Sequence, residues 1–370
     1  MRVACIMAVA TLAVSSASVL YAADNSPHVI RHPSGLRTLR LYSPTYKIDR
    51  LYKSMEGPME SQNVNLNAGG NPVLLWVVGY RTAIVDSDTH SPLSSEYMCH
   101  NNLDFDTDTH RSIFQRQELD DRGFESSRVV TLSQGQLSMS LPEGFGFPIM
   151  SSELLTMTTQ VLNLNDTDID ISVQQQISLD FVMEKDMKTP LKPLLPTFAG
   201  VEALVDSKEG VYRPNVISNV YVTTSCSPGQ HAPHVGPIGK YNDGSGRTFS
   251  NHWVVKPGRE VRRTLVTRQM QLPFDSTIHY IAIHLHPFAE SLTLRDLTKD
   301  RDLWGCRPQM REEKLGIKHV DNYSSREGIA VYKDHEYELV SVYNNTSGVD
   351  QDAMAVMYIY LLDKAFKKPG

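Results

Sequence analysis

Cysteine is scarce, at four residues in 370, which excludes the small secreted scaffold held together by many disulfides. Basic runs are missing too. With 36 Lys+Arg against 42 Asp+Glu and a net charge of -6, there is no patch of the kind that grips phosphate backbones, and nucleic acid is not an expected partner. Beyond residue 23 no segment approaches the ~20 apolar residues that span a bilayer as a helix. Sustained helical periodicity, internal repeats and low-complexity tracts are also absent, so a coiled coil or helical bundle is a poor fit. No Gly-x-Ser-x-Gly elbow, phosphate-cradling P-loop or His-Glu-x-x-His zinc motif occurs, and hydrolase readings lack a starting residue.

What is present is a foldable chain with 41% hydrophobic and 21% charged residues. At ~100–200 residues per domain the length suggests two domains. After Arg2, the stretch Val3–Ala23 carries no charge and ends in small residues before Asp24-Asn25-Ser26. That pattern predicts a signal peptide over 1–23 and an exported chain, periplasmic or secreted, with no membrane span in its mature part. An uncleaved anchor is the competing reading. Cys5 leaves with the peptide, so Cys99, Cys226 and Cys306 remain. Three cannot all pair within one chain. A Cys226–Cys306 bridge is expected because both lie in the second half, with Cys99 left over.

Period-two alternation is clearest from Ile169 to Phe181, where apolar residues alternate with Asp, Ser and Gln. Similar runs at Val73–Val78, Arg128–Leu141, Leu154–Leu164, Val216–Thr223, Thr264–Leu272, Ile278–His286, Ser291–Leu297, Glu336–Tyr343 and Met354–Leu362 predict further strands. Turns of helix are expected only at Met183–Lys188 and Lys299–Leu303. The chain therefore reads as mainly β, with antiparallel sandwiches. Prolines in Lys188–Pro196 and the polar Asp206–Pro214 suggest a division into a domain over 24–205 and another over 206–370. The long Ser225–Gly246 stretch, with Cys226, His231 and His234, reads as a loop of a length that is often functional.

The chemistry concentrates in Ile278–Pro287. Alternate residues of a strand share a face, so His284 and His286 project two imidazoles from one side while Ile283 and Leu285 enter a core. His279 has the other parity. Downstream, Met354, Val356 and Tyr358 share one face of a terminal strand, and two imidazoles with a thioether suit copper, especially Cu(I). Packing in the core is the other use of such a methionine. Asp104, Asp106 and Asp108 alternate as a carboxylate row that fits Ca2+ or a solvated surface. His335 beside Asp334 fits a carboxylate-oriented imidazole or a surface position.

His284-Leu285-His286 followed by Asp352-Ala353-Met354 and the tyrosine-rich Tyr358-Ile359-Tyr360 resembles the type II copper, ascorbate-dependent monooxygenases, over roughly Phe249–Asp363. The resemblance implies two jelly-roll-like β-sandwich domains. It also implies that His284, His286 and Met354 hold an oxygen-binding copper, with Tyr358 near it, and that an external reductant such as ascorbate supports hydroxylation of a C–H bond by O2. Where the family's peptide-processing members have an arginine and an asparagine for substrate, this chain has Ala282 and Val356, so a peptide C-terminus is not the expected substrate. The first half departs further. Cys99-His100 stands where the resemblance expects an adjacent histidine pair, and Leu162 or Asn163 where it expects a third histidine. Three arrangements stay open for Cys99 and His100: an altered copper site, a site completed by Cys226, His231 or His234, or a buried thiol beside a hydrogen-bonded imidazole. Two functions are expected from these residues: a copper monooxygenase acting on a small molecule, or a non-catalytic copper protein for storage, delivery or sensing. An adhesive two-sandwich protein with incidental histidines is a third.

Overall fold

The computed structural model describes residues 24–54, 56–66, 70–116, 127–204, 211–212, 240–242, 248–270 and 272–369. Residues 1–23, expected to be a signal peptide, the Val216–Thr223 run and Cys226, His231 and His234 lie outside the described residues.

Period-two sequences form strands as expected, and the fold is of the β-sandwich type. In the first half, a sheet ordered His28–Arg31, Arg37–Tyr42, Ile171–Met183, Leu74–Asp86, Phe145–Met150 faces a second ordered Met59–Asn65, Leu154–Val161, Met98–Asp104, Arg128–Ser133. Leu41, Val77, Ile84 and Ile177 of one meet Leu103, Val130, Leu155 and Met157 of the other in a shared core. In the second half, Lys192–Gly200, Ala355–Leu362, Ser276–Leu285 and Tyr323–Val331 form one sheet. It packs on a sheet containing Gly258–Leu265, Tyr337–Asn345, Ala289–Asp296 and Arg301–Cys306.

The two halves are not strung on a bare linker. Lys192 and Pro193 pair in parallel with Phe145 and Gly146, so the large sheets of both halves run on as one path. The Lys192–Gly200 strand precedes the boundary expected near 205, yet it pairs residue for residue with Ala355–Leu362. Strand parity then divides the second-half sheet. Ile281, Ile283, Leu285, Met357 and Ile359 enter its own sandwich core, while Tyr280, Ala282, Met354, Val356, Tyr358 and Tyr360 join the core of the first half. Each face thus serves a different sandwich.

Buried ion pairs hold this junction. Arg116 meets Asp363 across the halves, and Arg128 Nε donates to Asp104 Oδ1 at 2.6 Å while its guanidinium lies 5.5 Å from the ring centre of Tyr358. Removing one partner of such a pair costs ~3–5 kcal/mol, because a buried charge is left uncompensated.

Several local expectations are corrected. The Thr264–Leu272 run is strand only to Leu265, then turns into the helix Thr267–Met270. Arg128–Leu141 splits into Arg128–Ser133 and Ser138–Ser140 around Gly135 at φ 89°. Lys299–Leu303 holds no helix but opens the strand Arg301–Cys306. The carboxylate row is dispersed: Asp104 pairs with Arg128, and Asp106 caps the helix Thr107–Phe114 by accepting from Thr109 N at 2.8 Å.

Candidate metal centre

His284 sits near the end of Ser276–Leu285 and His286 one residue past it. This stretch extends beyond its pairing with Tyr323–Val331, which ends at Ile281. Its free edge is taken up by the first half: Ile283 N donates to Gln136 Oε1 at 2.9 Å, and Ser133 Oγ donates to Ile283 O at 3.2 Å. Tyr343 fixes the far side, accepting from His286 N at 3.3 Å and donating its hydroxyl to Met354 O at 2.6 Å. The imidazoles are therefore held by backbone contacts from both sandwiches.

Two further side chains arrive by a short ladder. Trp253–Val255 pairs antiparallel with Gln351–Ala353, with Val254 opposite Asp352, which brings His252 and Asp352 to one end of the ladder beside His286. One ligand atom from each of His252, His286 and Asp352 lies within 4.8 Å of the other two. His286 Nδ1 is 3.0 Å from Asp352 Oδ2, and His252 Nδ1 is 3.4 Å from Asp352 Oδ1. Ring centroids of His252 and His286 are 5.3 Å apart, those of His286 and His284 5.2 Å, and those of His284 and His100 6.4 Å.

Burial sets the charge of this group. Desolvation, followed by the neighbouring His286, holds His284 well below the ordinary imidazole value. His100 is pushed down to about 3 by burial and then by the cationic Arg128. Desolvation also lowers His252, partly offset by its hydrogen bond to Asp352. Burial works to raise Asp352, but the close approach of His286 and the hydrogen bond with His252 outweigh it, leaving the carboxyl well below its usual range. His284, His252 and His100 are thereby favoured as neutral rings, the protonation state in which imidazole can bind a metal, beside an ionised Asp352. Both ring nitrogens of His284 and Nε2 of His252 are buried without a hydrogen-bond partner, and unmet buried nitrogens of this kind are costly unless something occupies them.

The group opens on a cleft of ≈ 420 Å3 between the halves. Its walls mix His284, His286 and Asp352 with apolar Leu162, Val254 and Phe288. Ser54 Oγ, from the first half, lies 3.0 Å from His286 Nε2. The turn carrying Ser54 closes at Gly57, where an added Cβ would fall 1.9 Å from the carbonyl oxygen of Val161, so only glycine fits this approach.

The expected His284 and His286 are therefore brought together, and His100 joins them instead of standing in a separate first-half site. Cys99 lines the same cleft, with its thiol 3.7 Å from Gln160 Oε1. Leu162 lines the cleft where a third first-half histidine was sought. Met354 is fully buried on the face shared with Val356 and Tyr358, and its side chain is not part of the cleft wall. Tyr358 is likewise buried, beneath Arg128, and does not line the cleft. Cys306 is a buried free thiol, pushed up to about 12 by desolvation, while its expected partner Cys226 lies outside the described residues. His335 pairs with Asp296 at 2.8 Å, not with Asp334. Sequence reasoning missed His252 and the carboxylate role of Asp352, whose one visible signal was its place two residues before Met354.

No protein-family model and no curated protein matches the chain. Among solved structures it is similar at 9% identity and a TM-score of 0.30 to one described as PNGF-II, covering 87% of this chain and 65% of that one. It is also similar to the ANXUR2 extracellular domain from Arabidopsis thaliana, at 7% identity and TM-score 0.20 over 90% of this chain and 87% of that one. A Bacillus thuringiensis Cry1Da tryptic core variant follows at 8% identity and TM-score 0.18, over 79% and 52%. The chain thus spans about two thirds of the length of the first of these, and at such scores none bears on function.

Proposed function

We propose that the chain is an exported copper protein that binds the metal in the cleft between its sandwiches and uses O2 with an external reductant, such as ascorbate, to oxidise a small apolar molecule. One observation carries this reading: His252 and His286 flank Asp352, with His284 beside His286, and the three rings hold more buried nitrogens than the protein itself satisfies. Imidazole sets suit copper, zinc, iron and nickel, and the resemblance, which expects Met354 as a thioether ligand, favours copper among them. Copper bound here would supply one-electron chemistry and an open position for O2. The chain's own residues do the rest. Asp352 accepts from His252 Nδ1, which leaves His252 Nε2 buried and unpartnered, and its other oxygen lies 3.0 Å from His286 Nδ1, where an ion could be held between them. Gln136 and Ser133 hold the strand that carries His284. Leu162, Val254 and Phe288 exclude water and receive hydrocarbon.

A second reading, copper binding without turnover for storage, delivery or sensing, is favoured by Leu162, because the first half lacks the third imidazole that the resemblance requires for an electron-transfer copper. The test is metal content of the purified mature protein reconstituted under reducing conditions, beside His284→Ala/Met354→Ala, with O2 uptake followed in ascorbate. Copper lost in the variant together with reductant-dependent O2 uptake supports the enzyme. Tight copper without uptake selects the second reading, and no copper in the parent protein defeats both.

A further inference from the structure

We propose that the cleft between the sandwiches takes an amphipathic anion, a hydrocarbon chain ending in one carboxylate, with the chain lying on Leu51, Val254 and Val349 and the carboxylate on Lys53. The proposal names the substrate class for the cleft described above and rests on that reading for its role. Among the described residues six large apolar side chains stand exposed, and three of them line this cleft: Leu51 at 44%, Val254 at 53% and Val349 at 61%. Single exposed apolar residues are ordinary on a protein surface, whereas several around one opening mark a place that receives hydrocarbon. They come from both halves and continue to Leu162 and Phe288 on the same walls, and a volume of ≈ 420 Å3 lies within the ~300–1,000 Å3 of small-ligand sites.

The polar walls decide what the other end of the ligand carries. Asn163 Nδ2 donates to Arg50 O at 2.9 Å and to Asp166 O at 2.7 Å, and Gln134 Nε2 donates to Glu96 O at 2.9 Å while its Oε1 accepts from Ile317 N at 2.7 Å. Gln351 Nε2 donates to Ser347 Oγ at 3.0 Å, and Asp350 pairs with Lys256. Beside the imidazole group and its neighbours, these amides and this carboxylate are thus engaged within the protein. Lys53 is the exception. It is exposed, it is the one Lys or Arg on the cleft wall, and its ammonium enters no ion pair among the described residues; Glu56 Oε2 takes its backbone N–H instead, at 3.3 Å. One uncompensated cation beside apolar walls fits a ligand with one negative charge and a hydrocarbon body. Ser54, next in the chain, lies 3.0 Å from His286 Nε2, so the cation and the imidazoles share one cleft. The rim is also preformed: Tyr52 exchanges two backbone hydrogen bonds with Asn163, and Val349 O accepts from Asn345 Nδ2 at 2.7 Å.

The experiment titrates the metal-free full chain by calorimetry with decanoate, decanol and decyltrimethylammonium, which share a chain and differ in charge. Lys53→Gln, Lys53→Glu and Val349→Ser are measured beside Lys318→Gln, which alters an exposed lysine off the cleft wall, and circular dichroism establishes that each variant folds. The proposal predicts that decanoate binds tightest of the three and that affinity rises by up to about fourfold per methylene from hexanoate to decanoate. Decanoate binding should weaken about threefold in Lys53→Gln and about tenfold in Lys53→Glu, with decanol unchanged. Val349→Ser should weaken both ligands alike, and Lys318→Gln neither. Equal binding of decanoate and decanol, tighter binding of the cation, or Lys53 variants that weaken both ligands equally overturn the proposal, as does a parent chain that binds none of the three. Copper content of the same preparations is read separately. A chain that shows this pattern and takes no copper keeps the site and defeats the metal reading, whereas one that takes copper and no decanoate defeats this proposal alone.

Discussion

The fully buried Asp296 and the partly exposed Asp352 both meet histidine, and they are used differently. Asp296 is fully buried, takes Lys299 N at 3.1 Å on one oxygen and His335 Nδ1 at 2.8 Å on the other, and the imidazole lies against Tyr332 with centroids 4.6 Å apart. One acceptor meets one imidazole, and the arrangement is closed. Asp352 instead sits between His252 and His286, with His284 and His100 ranged beyond them and the nitrogens of His284 unmet. The first is an arrangement that stabilises a turn; the second carries a surplus that the fold does not spend on itself. What separates their use is the ratio of ring nitrogens to partners.

The largest expected effect breaks the surplus. His286→Ala removes an imidazole that touches both Asp352 and Ser54, and metal affinity should fall by at least ~100-fold in a chelator competition. Asp352→Asn keeps the shape but not the charge; affinity should drop ~10–100-fold, with metal-free Tm changing much less, because orientation and not packing is lost.

Acid titration sharpens the contrast in another way. The folded value of His100, about 3, lies below the ~6.5 of an unfolded imidazole, so the fold favours the neutral ring. Its contribution is complete above pH ~6.5 and is lost as the pH falls from there toward 3, at up to about 1.4 kcal/mol per pH unit. Metal-free protein should lose Tm over that window, and His100→Gln should flatten the slope. The smallest effect belongs to the closed pair: His335→Gln should cost ~1 kcal/mol in urea unfolding and leave metal affinity unchanged.

The sequence made the histidine strand readable because a period of two assigns faces without any knowledge of partners. His284 and His286 on one side, with Ile283 and Leu285 on the other, follow from that alone. The β character of both halves was legible for the same reason. His252 and Asp352 were not, because they meet only through a ladder of three residue pairs whose members are a hundred positions apart. His100 was read as a first-half residue, and its place beside His284 depends on how two sheets pack, which no local pattern records. The helix Thr107–Phe114 was hidden by the alternating Asp104, Asp106 and Asp108, a row resembling a strand in which Asp106 is in fact an N-cap. Thr264–Leu272 failed at the point where apolar content continues but the period changes.

The position of Ala355–Leu362 has a consequence in time. It lies between Lys192–Gly200 and Ser276–Leu285, pairing with both. Until it is inserted, those two strands present open edges that invite pairing with other chains, and the contacts that close them join residues as far apart as Leu194 and Leu362, which makes their formation slow. Assembly of the second sheet, the seating of its tyrosines on the first sandwich and the alignment of the imidazoles are thereby made to coincide. A partly folded chain has aggregation-prone edges and scattered imidazoles; one insertion removes the first and gathers the second.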